Sequence, residues 1–239
     1  MAYNFVSTST QYITSSSPSM SVHPTTISAW IYATSNTAAM TVVNFTETTS
    51  NNAGFRLTLA GQATGDPVRA TSFGSANGIS SIGDTGPSGF NLNTWHHVCG
   101  VFTSSTLRVV YRDGVAGATN TVLVDFTSLT TISIGALRLG GTLMDGYISD
   151  VGIWSVALNT DEINSLAKGF SAKKIRPQSL TYYVPLIRNL QEKINEIQRL
   201  EEESRREAEE KAKKEAEEKA KMEAEEKAEE KAKMEAEEK

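Results

Sequence analysis

Apolar and polar residues alternate along Thr26-Ile27-Ser28-Ala29-Trp30-Ile31-Tyr32 and again along Gly54-Phe55-Arg56-Leu57-Thr58-Leu59. A period of two is that of a strand with one face against a core. Met40 to Phe45 is an apolar run of strand length between them, and the Gly- and Ser-rich residues 60–92 predict short strands separated by loops. Trp95 to Phe102 and Leu107 to Arg112 predict a hairpin with Thr103 to Thr106 as its polar turn. Asp113-Gly114 follows as a turn dipeptide that tolerates positive φ. Ile132 to Leu139, Tyr147 to Trp154 and Leu180 to Ile187 complete the strand signals. One short helix is expected over Asn159 to Gly169, capped by Asn159 or Thr160, with Asp161 and Glu162 in its first turn and Gly169 as its stop. Many short antiparallel strands and one small helix predict an all-β antiparallel sandwich, a jelly roll, over residues 1–188.

The pattern changes completely at residues 189–239. Asn189 can cap a helix, with Glu192 completing a capping-box pair, and Leu190, Ile194 and Ile197 form a short apolar stripe beside Leu200. That stripe is expected to pack on the sandwich or on a partner chain. Beyond it, alanines recur every fourth residue from Ala208 to Ala236. Each step of four advances about 40° around a helix, so these alanines wrap round it without forming a coiled-coil seam. Glu207 with Lys211, Glu215 with Lys219, Glu223 with Lys227 and Glu229 with Lys233 are among the pairs spaced four apart. Each adds about 0.2–0.5 kcal/mol to a helix in this orientation. A single charged α-helix, acting as a rod or stalk of about 70 Å, is the expectation.

Charge follows the same division. The net charge of -5 combines -6 over residues 192–239 (19 acidic, 13 basic) with +1 over residues 1–191 (9 acidic, 10 basic). The strand-rich part lacks the basic face that general nucleic-acid binding needs, and Lys173, Lys174 and Arg176 read as a solvated loop. No apolar run approaches the ~18 residues of a membrane span, and Met1 to Phe5 lacks the features of a signal peptide. Cys99 is the only cysteine and is expected to be a buried small hydrophobe.

No catalytic residues are assigned. A retaining glycosidase needs two carboxylates about 5 Å apart, and on a strand an E-x-D-x-E run would place them on one face. No such run exists; residues 1–188 contain two glutamates, Glu47 and Glu162, and the second belongs to the short helix. No G-x-S-x-G elbow is present. His96 and His97 fall on opposite faces of one strand, so they cannot share a metal, and core or surface roles are expected. Trp30, Trp95 and Trp154 are expected to anchor the sandwich core.

Five stretches together resemble the laminin-G-like, concanavalin A-like lectin/glucanase jelly-roll family. They are Ile27 to Ile31, Trp95-His96-His97-Val98, Tyr111-Arg112-Asp113-Gly114, Asp145 to Trp154 followed by Ala157-Leu158, and Glu162-Ile163 with Leu166. Residues 169–190, including Tyr183-Val184-Pro185-Leu186-Ile187-Arg188, are most similar to bacteriophage and environmental members, from which the charged helix departs. The resemblance, taken with the missing E-x-D-x-E run, gives the expectation of a non-enzymatic structural or adhesion module with glycan as candidate ligand, and a jelly-roll glycoside hydrolase as the less favoured alternative. It places the chain on a virion, or in host cytoplasm during assembly. Other virion proteins or further copies of the chain are its candidate partners, and a capsid- or tail-decoration scaffold with protein-only contacts is the alternative. Calcium is the metal the resemblance brings in, through the loop acids Asp66, Asp84, Asp113 and Asp145, although turn capping is the preferred role for each. Tyr3, Tyr12, Phe73, Phe90 and Tyr182 are candidates for exposed aromatics, and no ligand site or metal site is assigned.

Overall fold

A computed structural model describes residues 2–16, 22–47, 53–74, 80–84 (backbone alone), 89–126, 128–138, 140–186 and 205–206. Two compact units are distinguished, Met1–Ile187 and Arg188–Lys239. In the second unit the described residues are Arg205 and Arg206, both helical and exposed. The remainder of the expected charged helix, with its cap and apolar stripe, lies outside the described residues.

The first unit is an all-β antiparallel sandwich. Its strands are β1 (Tyr3–Phe5), β2 (Ile13–Ser16), β3 (Thr25–Ala33), β4 (Ala39–Thr46), β5 (Gly54–Ala60), β6 (Val68–Phe73) and β7 (Ser80–Asp84). They continue with β8 (Trp95–Ser104), β9 (Leu107–Arg112), β10 (Val115–Asn120), β11 (Thr131–Ile134), β12 (Gly146–Trp154) and, after helix α1 (Thr160–Ala167), β13 (Leu180–Val184). One sheet has seven strands in the order β1-β12-β3-β8-β9-β10, with β13 also paired to β12; the other has six in the order β2-β11-β4-β5-β6-β7.

Period-two alternation decides which side chains meet between the sheets. Ile27, Ala29 and Ile31 of β3, Phe45 of β4, Phe55 and Leu57 of β5, Phe102 of β8 and Ile148 of β12 are fully buried in one cluster. Phe55 and Phe102 stack at 4.1 Å across the sandwich. Burial of each large side chain contributes about 1.5–3 kcal/mol.

A second, smaller core lies on the outer face of the seven-stranded sheet. There Cys99, Val101 and Trp154 pack with Leu158, with Ile163 and Leu166 of α1, and with Ala172. Asn159 caps α1: its side chain accepts from the Glu162 N–H at 3.0 Å, and the Glu162 carboxylate accepts from the Asn159 N–H at 2.8 Å. Trp154 donates its indole N–H to the Ile175 carbonyl at 2.7 Å.

The structure departs from the sequence expectation at several points. β8 runs to Ser104, so the β8–β9 turn is Ser105-Thr106 and not the longer Thr103–Thr106 loop. The strand expected over Ile132 to Leu139 ends at Ile134, because Gly135 takes φ +83° where a Cβ would lie 2.4 Å from the Phe5 ring. Asp113 (φ 52°) and Gly114 (φ 81°) form a two-residue turn into β10, an edge strand whose sequence carries little apolar alternation. Trp30 and Trp95 do not anchor the sandwich core. Both share the strand face opposite Ile31 and Val98, and Trp154 alone of the three is fully buried, beneath α1.

Candidate functional site: an aromatic face on the seven-stranded sheet

In β3 the residues of even number, Thr26, Ser28, Trp30 and Tyr32, point away from the sandwich. Helix α1 and its neighbours cover the Thr26 end of this outer face. No described element covers the other end, which carries two adjacent rows of side chains. In the first row Asn4 of β1, Tyr147 of β12, Tyr32 of β3 and Trp95 of β8 stand in register. In the second, Ser149, Trp30 and His97 do. The rings gather: Tyr32 lies 5.6 Å from Trp95 and 5.6 Å from Tyr147, and Trp95 lies 6.5 Å from Tyr147. Their interplanar angles of 50° to 79° make a faceted surface instead of a single plane. Trp95 is 42% exposed, an unusual state for a tryptophan on a central sheet face. Beside it lies an open depression of about 320 Å³ lined by Ala2, Trp30, Trp95 and Ser149.

The support beneath these rings is polar and buried. His97 packs against Trp30 at 5.6 Å, and its Nε2 is hydrogen-bonded to Ser28 Oγ at 2.8 Å. Burial pushes the His97 pKa down to about 4, against a weaker upward pull from Asp113. His96, on the core side of the same strand, is bonded through Nδ1 to Asp113 at 2.7 Å and accepts the Asn91 N–H at Nε2 at 3.1 Å. Asp113 also accepts the His97 N–H at 2.8 Å. Desolvation would raise the Asp113 pKa, but the hydrogen bonds from His96 and His97 outweigh it and hold this carboxyl below its usual range. This network fixes the end of β8 from which Trp95 projects.

The buried His97 gives a pH dependence with a definite sign. Below pH 6.5 the unfolded chain protonates this histidine, whereas the folded protein resists protonation until about pH 4. Stability is therefore flat above pH 6.5 and falls as the pH drops towards 4, by on the order of 3 kcal/mol for this site. His23, whose pKa is also lowered by burial, acts in the same direction. His97→Gln should remove most of the slope across that window in urea unfolding measured from pH 7.5 to 4; an unchanged slope would contradict this assignment.

The outer face of the six-stranded sheet is of a different kind. Ser133, Asn44 and Arg56 stand in register there, with Arg56 Nε donating to Asn44 at 3.1 Å. Asn44, Thr46 and Ser133 are fully buried, and Phe73 lies beneath the Arg56 guanidinium at 4.1 Å. It offers no open aromatic surface among the described residues.

The aromatics expected to be exposed scatter. Tyr3 (37% exposed) and Tyr12 (39%) are open, Phe73 and Phe90 are buried, and Tyr182 is half-buried against the main core. The rings that do gather, Trp30, Tyr32, Trp95 and Tyr147, were not among those five. The signal for two of them was present in the parity of β3, where Trp30 and Tyr32 alternate with the core residues Ile31 and Ala33. Cys99 is buried as expected, and burial pushes its thiol pKa well up.

The described loop acids each have separate protein partners. Asp66 accepts from Asn36 at 2.9 Å, Asp113 is held by His96 and His97, and Asp145 accepts the Ser7 N–H at 3.5 Å. The side chain of Asp84 lies outside the described residues. Among the described residues no three His, Cys, Asp or Glu side chains converge as a metal site. The two glutamates are likewise apart in role. Glu162 caps α1 and pairs with Arg176, while Glu47 follows the end of β4.

A family model described as the Concanavalin A-like lectin/glucanases superfamily matches residues 7–164. The chain belongs to this superfamily. No curated protein matches the sequence. Among solved structures, a heptameric SAP-like pentraxin from Limulus polyphemus is similar at 17% identity and TM-score 0.57, over 77% of this chain and 86% of that one. Domain 4 of AbnA, a GH43 extracellular arabinanase from Geobacillus stearothermophilus solved with arabinotriose, is similar at 20% identity and TM-score 0.51, over 64% and 71%. The CBM40 of the Ruminococcus gnavus IT-sialidase is similar at 14% identity and TM-score 0.51, over 66% and 98%. At these identities the likeness is one of fold.

Proposed function

We propose that the chain is a non-enzymatic glycan-binding module whose contact surface is the face of Trp30, Tyr32, Trp95 and Tyr147. The observation that carries this reading is Trp95, exposed at the end of β8 beside Trp30 and an open depression, on a sheet face that no described element covers. A sugar ring presents C–H groups of partial positive charge, and an aromatic face is electronegative, so the two attract while excluding water. Side-chain hydrogen bonds at the rim then fix orientation. The arabinanase domain solved with arabinotriose and the sialidase CBM40 share this fold and support the same class of function. The lack of an E-x-D-x-E run and the structural employment of Glu162 favour binding over hydrolysis. Calcium has no step in this proposal.

In its fuller form the module sits on a virion, where it acts in adhesion, and residues 189–239 form its helical stalk. The resemblance of residues 169–190 to bacteriophage members and the Glu-to-Lys spacing support that setting. Circular dichroism of a 189–239 peptide at low salt should give a helical spectrum; a random-coil spectrum would remove the stalk.

The protein-only scaffold is the second reading, favoured by exposed apolar residues near the β10 edge, among them Val115 at 68% exposure. Affinity electrophoresis of the full chain through gels containing neutral or acidic polysaccharides, with chelator present, separates the two. Retardation by any of them supports the glycan module. Free migration in every gel, with light scattering that reports an oligomer, supports the scaffold.

A further inference from the structure

We infer that this face selects neutral sugars with an unbroken C–H surface and discriminates against acidic ones. The inference rests on the glycan-binding reading above and names the class of ligand for that same surface.

Among the described residues, those lining the depression, Ala2, Trp30, Trp95 and Ser149, carry no charge. The charged groups described on β12, in the loop before it and at the β8–β9 end of the sheet have partners of their own, and Arg112 and His96 lie on the core side of that sheet, in register with or beside Val98. Asp113 is bound to His96 and lies 3.5 Å from Arg112, and the Arg112 guanidinium also donates to the Gly89 carbonyl. Asp145 accepts from Ser7. Asp150 accepts from the Tyr183 hydroxyl at 2.7 Å and from the Ala172 N–H at 3.0 Å. His97, the one titratable side chain in the second row, is buried and neutral at ordinary pH. A carboxylate or sulfate brought onto this surface would lose water without gaining a cation from the described residues. It would also face the electronegative side of the rings. A neutral pyranose meets neither penalty, and N-acetyl or 6-deoxy sugars add a methyl group to the same contact.

The polar groups present are few and fixed. Ser149 Oγ already donates to the Pro185 carbonyl at 3.3 Å, which leaves its oxygen as an acceptor for a ligand hydroxyl. Asn4 is exposed and in register with Tyr147, so its amide stands at the rim of the first row. An acceptor at one side and an amide at the other suffice to orient a ring without an ion pair. The volume of about 320 Å³ is at the small end of ligand sites, which run to about 1,000 Å³, and suits a terminal mono- or disaccharide unit.

A glycan array probed with the full chain tests this, using matched pairs that differ only by sialylation, uronic-acid oxidation or sulfation. Each pair is read at about 0.05 M and about 0.5 M salt, a range that screens charge interactions strongly. The expected result is binding to neutral members, at least about tenfold weaker binding to their acidic counterparts, and less than about twofold change with salt. A preference for the acidic members that falls with salt would overturn the neutral class while leaving the glycan-binding reading in place. Silence across the array would overturn both. The best neutral ligand is then titrated against Asn4→Ala. Loss of affinity is expected; unchanged affinity in that variant, together with salt-dependent binding, would overturn the inference.

Discussion

Trp95→Ala should lower glycan affinity by about 30-fold or more, while the protein remains folded. Central tryptophans in binding surfaces commonly cost about 2 kcal/mol or more when truncated, which corresponds to roughly that factor. The cost to folding should be small because Trp95 is 42% exposed and belongs to neither buried cluster. Substitutions at such surface positions usually stay within about 0.5 kcal/mol of wild type. Trp30→Ala should reduce binding too, with some loss of stability, because that ring also covers the buried pair of His97 and Ser28. Isothermal titration with a bound glycan, together with a thermal melt of each variant, checks both effects. A Trp95→Ala protein that binds as wild type would remove this face from the account.

Trp154→Ala should do the opposite: it should destabilise the domain by about 3–5 kcal/mol, the range for removing a large aromatic from a core. Trp154 is fully buried and central to the cluster beneath α1. Its removal also leaves the Ile175 carbonyl without the indole donor. For a domain of this size each kcal/mol corresponds to about 2–4 °C in melting temperature, so a fall of roughly 6–20 °C is expected. Trp154→Phe keeps most of the packing and should lose about 1 kcal/mol, mainly the hydrogen bond. A melting temperature for Trp154→Ala within a few degrees of wild type would show that α1 and its cluster contribute little to the fold. Compared with Trp95→Ala, this variant separates a tryptophan that holds the fold from one that the fold displays.

That separation also marks where the sequence was legible. Strands with strict alternation, such as β3 and β5, could be read because one face of each had to be apolar. The capping box at Asn159 and Glu162 could be read because both partners sit within one turn. β10 could not: Val115-Ala116-Gly117-Ala118-Thr119-Asn120 is an edge strand whose pairing comes from the Asp113-Gly114 turn and not from its own pattern. The proposed binding face was harder still. Tryptophan is usually read as core, and it is the parity of β3 together with the length of α1 that decides otherwise. Only the fold reveals that α1 covers Cys99, Val101 and Trp154 but stops short of Trp30 and Trp95. The convergence of Tyr147 and Ser149 on that surface depends on β12 pairing with β3, more than a hundred residues away, which no local pattern encodes.

The most direct measurement for the central claim is isothermal titration of the wild-type chain and of a Trp30→Ala/Trp95→Ala double variant, with the strongest glycan found on the array and chelator in the cell. Saturable binding by wild type, lost in a double variant that still unfolds cooperatively, is the predicted result. Equal binding by both proteins would contradict it and place the ligand elsewhere on the molecule.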